Sequence, residues 1–128
     1  MIRVLVVDDN SDAAESLAML LELSGHEVRV AYSGAEVLQE PRDVPDVAVV
    51  DIGLPGLDGY ELARRLRRMA RWTGSQLFAL SGWGRPEDKQ RAVEAGFDCH
   101  LTKPVEVETL DQLIRERARD ARDCRRTH

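Results

Sequence analysis

Residues 4–9 read VLVVDD and residues 47–51 read VAVVD. Each is a run of four apolar, mostly β-branched residues that stops on a carboxylate. Strands with no polar alternation are those covered on both faces, which is the situation inside a parallel sheet. Three weaker runs fit the same scheme. Val28, Val30 and Tyr32 alternate; Leu77–Leu80 ends at Ser81; and residues 99–102 (CHLT) are stopped by Lys103 and Pro104.

Helical signals fall between these runs. Ser11 is expected to cap a helix with Asp12 and Glu15 in its first turn, an apolar stripe of Leu17, Leu20, Leu21 and Leu23, and Gly25 at its end. Ser33 with Glu36 makes a capping box ahead of Val37 and Leu38. Pro41 and Pro45 bracket the next connection. Asp58 can cap a helix carrying Leu62, Leu66 and Met69, Pro86 opens one that Gly96 ends, and Val107, Leu110, Leu113 and Ile114 mark a last one. Five strand and helix units in alternation, without a hairpin signal, predict an α/β fold. The expected form is a flavodoxin-like doubly wound five-stranded parallel sheet, order 2-1-3-4-5, with helices on both faces.

Composition sets the outer limits. The 128 residues suit one domain, and 43% hydrophobic with 32% charged residues suits a soluble globule. The longest unbroken apolar run, Leu17 to Leu21, is five residues, against roughly twenty for a membrane span. With no secretory signal at the N-terminus, cytoplasmic residence is expected. Cys99 and Cys124 suggest neither a disulfide framework nor a metal pair. The net charge of −5 disfavours a nucleic-acid binder, although residues 115–128 hold six Arg against three acids. Arg64, Arg65, Arg67, Arg68 and Arg71 read as the solvated face of one helix, and Trp72 and Trp83 as exposed loop aromatics or docking points.

In an open parallel sheet, ligands bind beyond the carboxyl ends of the strands, where the strand order reverses. Asp8, Asp9, Asp51, Ser81 and Lys103 would share that rim. Three carboxylates brought close together repel unless a cation joins them, and oxygen ligands without His or Cys select a hard ion such as Mg2+. Ser81 and Lys103 opposite the ion would cradle a phosphoryl group, which leaves Asp51 as the nucleophile.

With its acidic pair Asp8 and Asp9, the loop DIGLPGLDG from Asp51, LSG at residues 80–82 and Lys103-Pro104, the chain resembles the receiver domain of two-component response regulators over residues 2 to about 116. The resemblance implies that Asp51 accepts a phosphoryl group from the phosphohistidine of a histidine kinase or phosphotransfer protein. It also implies Mg2+ on Asp8, Asp9, Asp51 and the carbonyl of Gly53, phosphoryl oxygens on Ser81 and Lys103, and a cis peptide before Pro104. The expected organisation is a receiver domain over 1–116 and a basic tail over 117–128 that continues the last helix. The output would pass to a downstream protein partner or to a parent kinase, since the segment from Ser81 to Val105 looks like the C-terminal receiver of hybrid histidine kinases. The domain itself would be a monomer or a phosphorylation-dependent dimer.

The chain departs from the family pattern at two positions. His100 stands where the family's inward-swinging aromatic is expected, which predicts, with Ser81 as the other switch residue, a weaker or pH-sensitive swing. Gly53 offers no side chain to shade the acceptor from water, which predicts a short-lived phosphoaspartate, with Trp83 as the bulky candidate lid. The competing reading is a Mg-dependent aspartyl-nucleophile phosphatase or phosphotransferase. Such enzymes usually carry a second acid two positions past the nucleophile and a cap over the substrate; Gly53 is not an acid, and no insertion here is long enough for a cap.

Overall fold

The structure is a computed structural model and describes residues 2–39, 44–54 and 56–126. In chain order the elements are β1 (Arg3–Val7), α1 (Ser11–Leu23), β2 (Glu27–Ala31), α2 (Gly34–Gln39), β3 (Val47–Asp51), α3 (Gly59–Arg67), a 3-10 turn (Ala70–Trp72), β4 (Gln76–Ser81), α4 (Pro86–Ala95), β5 (Cys99–Thr102) and α5 (Val107–Arg126). The five strands are all parallel, in the order β2-β1-β3-β4-β5. That is the flavodoxin-like arrangement expected from the sequence. Pro41 and Pro55 lie outside what is described, as do the side chains beyond Ala118, those of Cys124 and the later arginines included.

Side-chain alternation along the strands builds two cores. Leu5, Val7, Ala48, Val50, Leu77 and Ala79 face one way and meet Leu62, Ala63, Leu66, Ala92 and Ala95 of α3 and α4. Val4, Val6, Val47, Val49, Phe78 and Leu80 face the other way and meet Ala14 and Leu21 of α1 and Leu110, Ile114 and Ala118 of α5. Because both sheet faces are covered, the central strands must be apolar at every position, which explains VLVV and VAVV.

The helix ends follow local rules, with two corrections. Asp58 caps α3 as expected, accepting from Glu61 N at 2.8 Å, and Gly96 ends α4 with φ +106°. At α1 the cap is Asn10 rather than Ser11, its side chain accepting from Ala13 N at 3.1 Å. The leucine stripe is also displaced. Small residues Ala14 and Ala18 with Leu21 face the sheet, while Leu20 and Leu23 are exposed. Small residues let α1 approach the sheet closely, and a periodicity count over large apolar residues misses that. Helix α3 ends at Arg67, so Met69 packs from the following turn.

Gly59 and Gly96 are demanded by close approach. A Cβ on Gly59 would lie 2.9 Å from Ile52 Cα and 3.0 Å from the Asp51 carbonyl, so only glycine lets α3 start against the loop that follows Asp51. A Cβ on Gly96 would lie 2.6 Å from Arg67 Cγ and would also be strained by the positive φ.

Candidate functional site

Parallel strands all point their carboxyl ends the same way, so the residues that stop them meet on one rim. Asp8 and Asp9 follow β1, Asp51 ends β3, Ser81 ends β4, and Lys103 follows β5. Carboxylate oxygens of Asp8, Asp9 and Asp51 all lie within 4.8 Å of one another. Lys103 Nζ is 3.3 Å from Asp51 Oδ2. The other oxygen of Asp51, Oδ1, accepts from the Gly53 amide at 3.0 Å.

The backbone locks this rim. Asp8 N donates to Ala31 O at 3.1 Å, Ile52 N to Leu80 O at 2.9 Å, and Lys103 N to Ser81 O at 2.7 Å. The peptide between Lys103 and Pro104 is cis. Ser81 is 4% exposed, and its hydroxyl accepts from Trp83 N at 3.0 Å while retaining its own proton as a donor.

Asp8 is 8% exposed. Burial is the main cause that raises its pKa above the ordinary carboxylate value, and the nearby Asp51 raises it further. The Asn10 amide, which donates to Asp8 Oδ1 at 3.0 Å, and Lys103 pull it down. Each like-charged pair at this spacing costs on the order of 3 kcal/mol at an effective dielectric of about 20. A divalent cation would relieve that repulsion. Three carboxylates with no sulfur or imidazole among them fit a hard ion that keeps part of its water shell, and the exposed side of Asp9 leaves space for that water. The residues present therefore fit Mg2+.

The remaining sequence candidates lie around this centre. Gly53 sits in the turn after β3, and a Cβ there would meet Asp51 Oδ1 at an ordinary 3.6 Å. Trp83 is 64% exposed, with the Arg85 guanidinium 5.2 Å from its ring centroid. His100 is apart from the carboxylates, within β5 opposite Ala79, and both its ring nitrogens are buried without a hydrogen-bond partner among the described residues.

Two readings from the sequence are corrected. Trp72 is 3% exposed and belongs to the core beneath α3 and β4, because the 3-10 turn folds it inward. Arg67 is not part of a solvated face. Its Nε donates to Gly96 O at 2.8 Å, its Nη1 to Trp72 O at 3.1 Å and Ser75 O at 2.9 Å, and its Nη2 pairs with Asp98. No local signal separates Arg67 from Arg64, Arg65 or Arg68, because every partner comes from another segment.

An open doubly wound sheet with a carboxylate cluster, a hydroxyl and a lysine on one rim defines a class of α/β domains whose rim suits a hard cation and an anionic group. Residues 4–115 match the response regulator receiver domain. The 14.6 kDa protein of the sodA1 3′ region of Leptolyngbya boryana is 37% identical over 114 residues, which cover 88% of this chain and 87% of that protein. The transcriptional regulatory protein PrrA of Mycobacterium leprae (strain TN) is 41% identical over 109 residues, 84% of this chain but 46% of PrrA. This chain thus spans about half the length of that relative. The crystal structure of a CheY-like response regulator receiver domain protein from Methanospirillum hungatei JF-1 superposes with a TM-score of 0.84 at 27% identity, covering 96% of this chain and 98% of that one. The chain belongs to the response regulator receiver domain family, the phosphoacceptor switch of two-component signal transduction. The phosphatase alternative is not favoured. Among the described residues, no helix is long and apolar enough to cross a membrane.

Proposed function

We propose that Asp51 is the phosphoacceptor, taking a phosphoryl group from the phosphohistidine of a histidine kinase or phosphotransfer protein. A carboxylate oxygen of Asp51 attacks phosphorus, the P–N bond of the donor breaks, and its electron pair stays on the imidazole. The observation that carries this reading is the convergence of Asp51 with Asp8 and Asp9 inside 4.8 Å and with Lys103 at 3.3 Å. Asp8, Asp9, Asp51 and the Gly53 carbonyl would hold Mg2+, which when bound supplies positive charge against the phosphoryl oxygens. Lys103 leaves the Asp51 carboxylate for a phosphoryl oxygen, and the Ser81 hydroxyl donates to another.

The domain assists its own phosphorylation and dephosphorylation rather than turning over an outside substrate, and it signals by presenting an altered α4–β5–α5 surface to a protein partner. Incubation with acetyl phosphate and Mg2+, followed by intact mass, is expected to add one phosphate to the wild type and none to Asp51→Asn. Labelling that survives Asp51→Asn places the acceptor elsewhere and ends the proposal.

Gly53 sets the lifetime of the product. The room beside Asp51 Oδ1 admits an attacking water, and a side chain at position 53 would occupy it without backbone strain. Gly53→Met is expected to slow autodephosphorylation several-fold, with each tenfold corresponding to about 1.4 kcal/mol of barrier. A decay rate equal to wild type in a phosphate-release assay refutes the shading idea.

A further inference from the structure

A chain of charged and aromatic groups runs from β5 along the first turn of α4 to the mouth of the carboxylate site. His100 pairs in register with Ala79, one step from the Ser81–Thr102 pair on the same face of the sheet. Its neighbours Cys99 and Leu101 pack into the α1 and α5 layer, so strand alternation turns the imidazole the other way, toward α4. Two charged groups of α4 act on it electrostatically, the Asp88 carboxylate and the Lys89 ammonium, while both ring nitrogens are buried with no hydrogen-bond partner among the described residues. From β4 it meets Ala79, which does not titrate.

Asp88 is 6% exposed and is held by Arg85, with Nε to Oδ2 at 2.8 Å and Nη2 to Oδ1 at 3.4 Å. Arg85 also lies 3.5 Å from Glu87 Oε1 and stacks over Trp83, whose amide donates to Ser81 Oγ. Burial, then Lys89, hold the His100 pKa below its ordinary value, with Asp88 partly opposing them. The net effect favours the neutral ring.

A proton makes both ring nitrogens donors, and a buried cation is tolerated only with a partner. Asp88, on the helix toward which the ring turns, is the carboxylate whose charge favours the protonated ring. The Arg85 side chain is 57% exposed, so water replaces Asp88 readily on that side. We propose that His100 is a proton-operated latch: when protonated it takes the Asp88 carboxylate, Arg85 releases Asp88 and Trp83, and the indole beside Ser81 is set free. One proton is taken up and no covalent bond changes. The latch stands apart from phosphotransfer and would operate even if Asp51 were never phosphorylated.

The sign follows from linkage. The unfolded chain binds this proton near pH 6.5, while the folded chain binds it only at lower pH. Stability therefore falls as pH drops from about 6.5 to the folded value and changes no further below it.

The test uses the full chain without Mg2+ or phosphodonor. Acrylamide quenching reads Trp83, which is exposed, against Trp72, which is buried. Between pH 8 and pH 5 the wild type is expected to show one sigmoidal rise in quenching with its midpoint below 6.5, matching the titration of the His100 C2 proton by NMR. His100→Phe and His100→Gln should both abolish the step, and Asp88→Asn should abolish it while His100 still titrates. The latch is overturned by an unchanged step in either His100 variant, by flat quenching while His100 titrates, or by loss of far-UV circular dichroism over the same range.

Discussion

Lys103→Met is expected to slow labelling of Asp51 by acetyl phosphate about 100-fold, the usual loss when one preorganised donor to a developing anion is removed. The lysine is poised for this role. Its amide is pinned to Ser81 O at 2.7 Å and its ammonium stands 3.3 Å from Asp51 Oδ2, at the end of a strand that cannot drift relative to β4. Methionine keeps the stem and deletes the charge. Lys103 is also one of the two influences that lower the Asp8 pKa, so Asp8 should titrate at still higher pH in the variant. Mg2+ affinity should not fall, since the carboxylates proposed to hold the metal remain and a competing cation is gone. The measurement is the initial labelling rate by mass spectrometry at saturating Mg2+, with Mg2+ binding followed by calorimetry. A rate within threefold of wild type would remove Lys103 from the phosphoryl site.

Arg67→Met is expected to destabilise the chain by about 3 kcal/mol, close to 10 °C in melting temperature for a domain of this size. Three backbone carbonyls and one carboxylate lose the Arg67 guanidinium at once, although Trp72 O keeps the Ser75 amide and Asp98 keeps the Leu77 amide. These acceptors belong to the end of α4, the 3-10 turn, the lead into β4 and the approach to β5. Asp98 in turn receives the Leu77 amide at 2.8 Å, so the loss extends into the register of β4. Arg67→Lys should restore little, because a single ammonium cannot reproduce a planar fork that serves four acceptors. Arg68→Ala, one residue on and exposed, should change stability by less than about 0.5 kcal/mol. Equal melting temperatures for the Arg67 and Arg68 variants in a thermal denaturation series would show that Arg67 is surface-like after all.

The contrast between Lys103 and Arg67 shows what a linear chain reveals. Lys103 was legible because it stops a strand, and in a parallel sheet every strand stop lies on one rim. The same holds for Asp8, Asp9, Asp51 and Ser81. Arg67 was illegible because its meaning lies in carbonyls that are 5, 8 and 29 residues away in sequence. Trp72 was misplaced for a related reason: a Gly- and polar-rich neighbourhood looks like a solvent loop, yet a 3-10 turn tucks the indole under α3. His100 shows a third case. Its place in a strand can be read from the chain, but not that both ring nitrogens are enclosed within the fields of Asp88 and Lys89.

The sequence by itself determined the parallel α/β architecture and the five polar residues that stop its strands, whereas the strand order is expected from the common doubly wound arrangement and is shown by the structure. The architecture and the strand stops depend on apolar periodicity, caps and strand ends, which are written in near neighbours. Only the tertiary structure decided the Asp8–Asp9–Asp51 spacing, the raised pKa of Asp8, the Arg67 clamp, the buried Trp72 and the route from His100 to Trp83. Each of these depends on desolvation and on partners from distant segments, and both arise only when the layers close.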